Sequence, residues 1–337
     1  MDLVELEGSK ILITGASGLI GKSLVKSLIL RRTQEPIEVI ALVRNKEKAV
    51  QAFCDLPQEH LHYLLCDVCN FKAENLGVNY IIHCASKTSS KDFVSTPVEV
   101  ILNSVCGTKN LLEFARVNPV NGFVYLSTME IYGTPQTDDK ITENHPSNID
   151  TMSVRSSYPE SKRLCEAMCA AYFSEYNVPA KVVRLTQTFG EGIDYNDKRV
   201  FAEFARCLIE KRDIILKTKG ETKRNYICTD DAVNAILTVL IKGASGEAYN
   251  VANEDTYCSI YEMANMMAAN FGEGVVNVKI EETADVEKLG YAKTLKMNLS
   301  TDKLRALGWK AETDLITAFE KMISSLRQSG KKYNKGY

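Results

Sequence analysis

The sequence predicts an α/β protein: a doubly wound parallel sheet with a smaller α/β lobe at its C-terminal end. Three observations carry this. Short apolar runs recur between stretches of helical periodicity, and strands alternating with helices at this spacing form parallel βαβ units. The first run, Lys10-Ile-Leu-Ile-Thr14, passes through glycines at three-residue spacing (Gly15, Gly18, Gly21) straight into a helix. Beyond Thr186 the alternation breaks, which marks a second unit.

In the first element, Ile11, Leu12 and Ile13 form the kind of run that is buried on both faces of a parallel sheet. Leu19, Ile20, Leu24 and Leu28 then keep helical spacing. Gly15 lets the chain reverse tightly, Gly18 lets backbone approach a pyrophosphate, and Gly21 lets the helix press on its strand. Free N–H groups at the helix start face negative charge. The turn, with Ser17, Leu19 and Ile20 between its glycines, reads as a dinucleotide site.

The second strand, 38–43, ends at Arg44-Asn45-Lys46. An acid here accepts from a ribose 2′-hydroxyl, whereas a base suits a 2′-phosphate, so Arg44 leans toward NADP over NAD. The alternative is a solvated surface arginine. A third strand, 62–68, places Asp67, with Val68 beside it, to accept from an adenine amino group. The fourth, 79–86, ends in the small residues Ala85 and Ser86, where backbone must pass close to a cofactor. Next come a helix over 103–117, with Val105, Leu112 and Ala115 apolar, and a fifth strand, 122–128.

Residues 135–153 are polar and proline-bearing, a loop long enough to be functional. A helix opens at Ser157, with the side chain of Ser156 or Ser157 as its cap and Pro159 in its first turn. Leu164, Ala167, Met168, Ala171 and Tyr172 form its apolar face. The sixth strand is 180–186. After a turn at 190–196 come a helix over 200–211, a basic polar stretch at 217–224 and a helix over 230–241. A short strand at 248–251 and a Met-rich helix over 259–270, its methionines in the core, complete the series. The expected division is 1–186 with about 225–252 for the dinucleotide domain, 187–224 and 253–329 for the substrate lobe, and a disordered tail at 330–337.

Composition narrows the function. The chain has 337 residues, 45% apolar and 25% charged, with net charge −2. That gives no general attraction to nucleic acid or to a membrane surface. No apolar run spans a bilayer, and the acidic N-terminus lacks the basic and apolar regions of an export signal. Cys84, Cys106, Cys165, Cys169 and Cys207 lie in apolar segments as small buried hydrophobes. Cys66 and Cys69 form a lone C-x-x-C without a second pair at zinc spacing, so no metal is expected. A reduced, cytoplasmic protein is the reading.

Tyr158 and Lys162 stand four apart and share a helix face. An ammonium beside a phenol favours the phenolate, as a base acting on a secondary alcohol requires. Thr128 ends the fifth strand at the sheet's C-terminal edge, where open α/β folds bind ligands, and its hydroxyl can donate to the substrate oxygen.

Taken together, these residues resemble the extended branch of the short-chain dehydrogenase/reductase superfamily, the NAD(P)-dependent nucleotide-sugar epimerases and dehydratases. The match runs over most of the chain: Thr14 to Gly21, Asp67, Asn103-Ser-Val-Cys-Gly107-Thr, Ser127 to Gly133, Tyr158-x-x-x-Lys162 and Arg224 to Asp231. The resemblance implies a Rossmann fold, NAD or NADP, and a nucleotide-sugar substrate. It makes Thr128, Tyr158 and Lys162 the hydride-transfer set, with Lys162 also on the nicotinamide ribose. It sets Asn103 and Leu185 along the cofactor, Lys87 and Gln187 against the sugar nucleotide, and Arg224 on its diphosphate, which a guanidinium fork suits. It further implies a homodimer through the helices that carry Asn103 and Tyr158.

Three positions depart from common patterns of the branch. Many 4,6-dehydratases carry an acid before the glutamate at position 130; here it is Met129, which donates no proton. Related GDP-mannose dehydratases and UDP-glucuronate decarboxylases carry a neutral residue there, so Glu130 keeps two readings, a proton-transfer group or a structural carboxylate. Gln187 stands where many UDP-sugar enzymes have Asn, and Arg44 where many epimerases have an acid. The leading expectation is transient oxidation at C4 with return of the hydride after epimerisation. Alternatives are loss of a group through Glu130, or stoichiometric NADPH reduction of a carbonyl. A catalytically silent dinucleotide sensor is disfavoured by the intact Thr128, Tyr158 and Lys162.

Overall fold

The computed structural model describes residues 4–72, 75–283 and 294–333. β1 (Lys10–Thr14), α1 (Leu19–Ile29), β2 (Glu38–Val43), α2 (Lys46–Ala52) and β3 (Leu61–Leu65) form the first half of the large unit. β4 (Tyr80–His83), the short α3 (Asp92–Ser95), α4 (Pro97–Val117), β5 (Gly122–Thr128), α5 (Ser157–Tyr176) and β6 (Ala180–Leu185) form the second. Then come β7 (Gln187–Phe189), α6 (Val200–Ile209), β8 (Ile214–Leu216), β9 (Lys223–Cys228), α7 (Thr229–Lys242) and β10 (Ala248–Val251). β11 (Asn253–Ser259), α8 (Ile260–Phe271), β12 (Val278–Ile280), β13 (Lys296–Met297), α9 (Asp302–Arg305) and α10 (Leu315–Tyr333) close the chain.

The main sheet has seven strands in the order β10-β6-β5-β4-β1-β2-β3, every pair parallel. The chain starts at β1, winds out to β3, and returns past β1 to β4. The order therefore reverses between β1 and β4, and the crevice at their C-terminal ends is where such folds bind ligands. Strand alternation divides the core between two faces. Ile11 and Ile13 pack with α1 and α7 through Leu24, Leu28, Ile236 and Val239. Leu12 packs on the other side with Leu111, Leu112, Phe123 and Cys165 of α4, β5 and α5. A second core joins Phe189, Phe201, Tyr226, Met263, Met267 and Phe319 beneath the small sheet of β7, β9, β11 and β13. Met263 and Met267 of α8 are buried there, and Met266 packs partly buried against the same core, in line with core methionines.

Several boundaries differ from the sequence reading. α4 begins at Pro97, not 103; its first two turns expose Val98, Ile101 and Leu102, so their apolar positions face away from the core. β3 and β4 stop short, because Asp67 caps a tight turn over 68–70 and the chain leaves the sheet after His83. Neither serine caps α5 through its side chain: Ser156 Oγ donates to Asp150 O and Ser157 Oγ to Phe93 O. The helix at 200 ends at Ile209, ahead of Lys211 at φ +55°. α10 was not expected, and residues 330–333 of the anticipated disordered tail belong to it; 334–337 lie outside the described residues. Cys165, Cys169 and Cys207 are buried, while Cys84 and Cys106 are partly exposed. No helix among the described residues is long and apolar enough to cross a membrane.

Candidate active site

A cleft of about 450 Å³ opens along the C-terminal ends of β1, β2, β4, β5 and β6. Of all the site residues read from the sequence, only Arg224 stands outside its lining. At one end is the glycine turn. Gly15 has φ +62°, and a Cβ there would lie 2.8 Å from the backbone of Ala85. A Cβ on Gly21 would come within 2.3 Å of Gly15 O, so α1 sits directly on the turn. Gly18 is the N-cap of α1 and supplies no side-chain bond, which leaves the first N–H groups of the helix for a ligand. Thr14 Oγ1 bonds His83 Nδ1 at 2.7 Å and accepts from Ala85 N at 3.2 Å, fastening the turn to the end of β4.

Further along, Arg44 is exposed at the tip of β2, and Asp67 accepts from Cys69 N at 2.8 Å. Asn103 donates to Cys69 Sγ at 3.5 Å. Lys87 is paired with Glu99. These residues fit a dinucleotide: a glycine turn with free N–H groups for phosphates, an acidic side chain for an adenine, and small residues under the ring. Arg224 lies on β9, with its Nε buried and unbonded.

The middle of the cleft holds Thr128, Tyr158 and Lys162. Lys162 Nζ donates to Leu126 O at 2.7 Å and stands 4.7 Å from the Tyr125 ring centroid and 5.9 Å from that of Tyr158. Burial pushes its ammonium down to about 8, so it is charged at neutral pH. The expectation that Lys162 lowers the Tyr158 phenol is not met in the protein alone. Burial pushes the phenol up, and the Glu130 carboxylate adds to this, while a Thr128 hydrogen bond, Arg155 and Arg199 pull it back. The physical reason is placement: the ammonium faces rings and a carbonyl instead of the phenolic oxygen.

Thr128 Oγ1 accepts from Glu130 N at 3.2 Å. Glu130 turns its carboxylate to Arg155, whose Nη2 donates at 2.8 Å. Met129 is buried in the cleft lining and accepts from Thr186 Oγ1 at 3.3 Å, and its thioether has no proton to give. Sequence reasoning missed Phe93, Arg155 and Arg199. Phe93 lies flat on Tyr158, with centroids 4.3 Å apart and planes 7° from parallel. Arg199 lines the cleft, gripped by three hydrogen bonds to Asp197. None carries a spacing signal; they converge only through the fold.

Behind the cleft, Ser127 Oγ bonds Glu166, which also takes three hydrogen bonds from Arg184. Arg184 continues to Tyr132 Oη and Glu143 O, and Tyr132 to Asn250. A second cavity, about 420 Å³, lies against this network, and both of its arginines are already paired.

Residues 11–252 match the NAD dependent epimerase/dehydratase family. The chain is 25% identical over 326 residues to UDP-glucuronic acid decarboxylase 1 of Xenopus tropicalis, covering 97% of this chain and 74% of that protein. It is 23% identical over 335 residues to dTDP-D-glucose 4,6-dehydratase of Mus musculus, covering 95% and 89%. In fold it is similar to UDP-glucuronic acid 4-epimerase from Bacillus cereus in complex with NAD, with a TM-score of 0.76, 18% identity, and coverage of 95% and 99%.

Proposed function

The chain belongs to the NAD dependent epimerase/dehydratase family, and on that premise we propose that it oxidises a hydroxyl of a nucleotide-linked sugar at C4 and later returns the hydride. The observation that carries this reading is the meeting of Thr128, Tyr158 and Lys162 beside the glycine turn, at the edge of β5. Tyr158 takes the hydroxyl proton while Thr128 donates a hydrogen bond to the same oxygen. Lys162 supplies positive charge nearby and holds the ribose. Oxidised nicotinamide supplies the hydride acceptor and a cationic ring, which offsets the burial that raises the phenol. Arg224, with an unbonded buried Nε, is the residue proposed for the diphosphate. The NAD-or-NADP choice rests with Arg44.

In the leading reading the keto sugar is then epimerised. Glu130 gives a second one, loss of a group from the keto sugar, because it lines the cleft two residues from Thr128. A homodimer is supported by the exposed Val98, Ile101 and Leu102 of α4 and Leu164 of α5, and light scattering checks it. The deciding experiment offers UDP-, GDP-, CDP- and dTDP-sugars without added cofactor and identifies products. Conversion abolished by Tyr158→Phe supports the proposal, and no conversion of any of them overturns it. Consumption of NADPH in proportion to substrate would favour a reductase.

A further inference from the structure

Four residues from three separate segments, Glu130, Arg155, Phe93 and Tyr158, form a chain of contacts that ends on the base. Glu130, on the turn after β5, accepts from Arg155 Nη2 at 2.8 Å. Arg155 lies on the tight turn that leads into α5, and its guanidinium carbon sits 4.7 Å from the centroid of Phe93. The Phe93 ring also carries Tyr158, stacked at 4.3 Å. Ser157 Oγ donates to Phe93 O at 2.9 Å and ties α3 to the start of α5. The charges facing Tyr158 are therefore Glu130 from the β5 turn, Arg155 from its own approach, Arg199 from the segment before α6, and Lys162 across its ring. Arg199 is already matched by Asp197. Glu130 has Arg155 as its ion-pair partner.

We propose that Arg155 is a positioning residue for the base: it neutralises Glu130 beside the Tyr158 hydroxyl and clamps Phe93 onto the Tyr158 ring. A carboxylate near a phenol disfavours the phenolate, and a cation on that carboxylate cancels the effect. The guanidinium does both jobs because its edge donates to oxygen while its face lies on an aromatic ring. A lysine keeps the charge but loses the flat face. The inference rests on the reading of Tyr158 as base.

The test needs no substrate. NAD-loaded protein is titrated, and phenolate absorbance is read as the difference from Tyr158→Phe. In Arg155→Gln and Arg155→Met the midpoint moves to higher pH by ~0.5 unit, since the pair is partly exposed. Adding Glu130→Gln to either variant brings the midpoint back. Arg155→Lys keeps the midpoint, yet hydrogen exchange over 89–96 quickens in all three Arg155 variants. An unmoved midpoint in Arg155→Gln, or a shift that Glu130→Gln leaves in place, overturns the proposal while Tyr158 still titrates. If no Tyr158 phenolate forms below pH 10 in the unaltered protein, the base reading falls and takes the proposal with it.

Discussion

Glu166 lies one helical turn beyond Lys162 and receives both Nε and Nη2 of Arg184, the shorter contact at 2.7 Å. The pair is nearly buried, its side chains 13% and 12% exposed. Ser127 bonds the same carboxylate, and its neighbour Thr128 lines the cleft. The pair thus joins β5, β6 and α5 beside the proposed catalytic set of Thr128, Tyr158 and Lys162.

Removing one partner leaves a buried charge alone. Arg184→Met is expected to lose ~3–5 kcal/mol in urea unfolding, whereas Arg184→Met with Glu166→Leu recovers most of it. A double variant as unstable as the single one would show that the arginine acts through packing and its bonds to Tyr132 and Glu143.

Gly21→Ala tests the glycine turn. The added methyl would lie 2.3 Å from Gly15 O, so either α1 or the turn must move. Titration with NAD should show binding weakened at least tenfold, ~1.4 kcal/mol. Gly77→Ala, with open space at its Cβ and φ +61°, carries only a local backbone cost and leaves NAD binding unchanged.

The main sheet was legible because its strands are short apolar runs buried on both faces, bounded by turn residues. The cleft was legible where residues sit within one strand-turn-helix segment, as Gly15 to Gly21 do, or four apart on one helix, as Tyr158 and Lys162 do. Phe93, Arg155 and Arg199 were not, because contacts across separate segments leave no periodicity. The start of α4 was hidden by apolar residues that face outward, where the pattern expects polar ones. α10 did carry a signal: Phe319, Met322, Ile323 and Leu326 keep helical spacing and are all buried. Its amphipathic stripe only gains meaning once Phe189 and Phe201 supply the surface it covers.

Lys162 gives a pH dependence with a definite sign. Its folded value is depressed to about 8, against ~10.4 when unfolded. Between those values the unfolded chain holds the proton and the folded chain does not, so stability rises with pH through this window. Below about pH 8 both states are charged and the burial cost is fully felt, on the order of 3 kcal/mol for this buried amine. Other groups titrate in the same range, so the quantity to measure is the stability difference from Lys162→Met. That difference should favour the variant most at pH 7 and shrink by pH 10.5. A constant difference would mean that the bond to Leu126 O compensates the charge fully.

Arg44 is the residue proposed to choose between the two dinucleotides. It is exposed at the end of β2 and lines the cleft where the glycine turn ends. A ribose 2′-phosphate there would gain a charge-assisted, forked pair of hydrogen bonds, and a bare 2′-hydroxyl would not. Because the site is open to water, the gain is modest, ~1–2 kcal/mol, or roughly five- to thirtyfold in affinity. Arg44→Asp should reverse the preference, since the carboxylate accepts from the 2′-hydroxyl and repels the phosphate. Parallel titrations with NAD and NADP, repeated at high salt, check this. The NADP advantage of the unaltered chain should fall with ionic strength while NAD binding changes little. Equal affinities for both dinucleotides, unmoved by Arg44→Asp, would leave the arginine as a solvated surface residue with no part in cofactor choice.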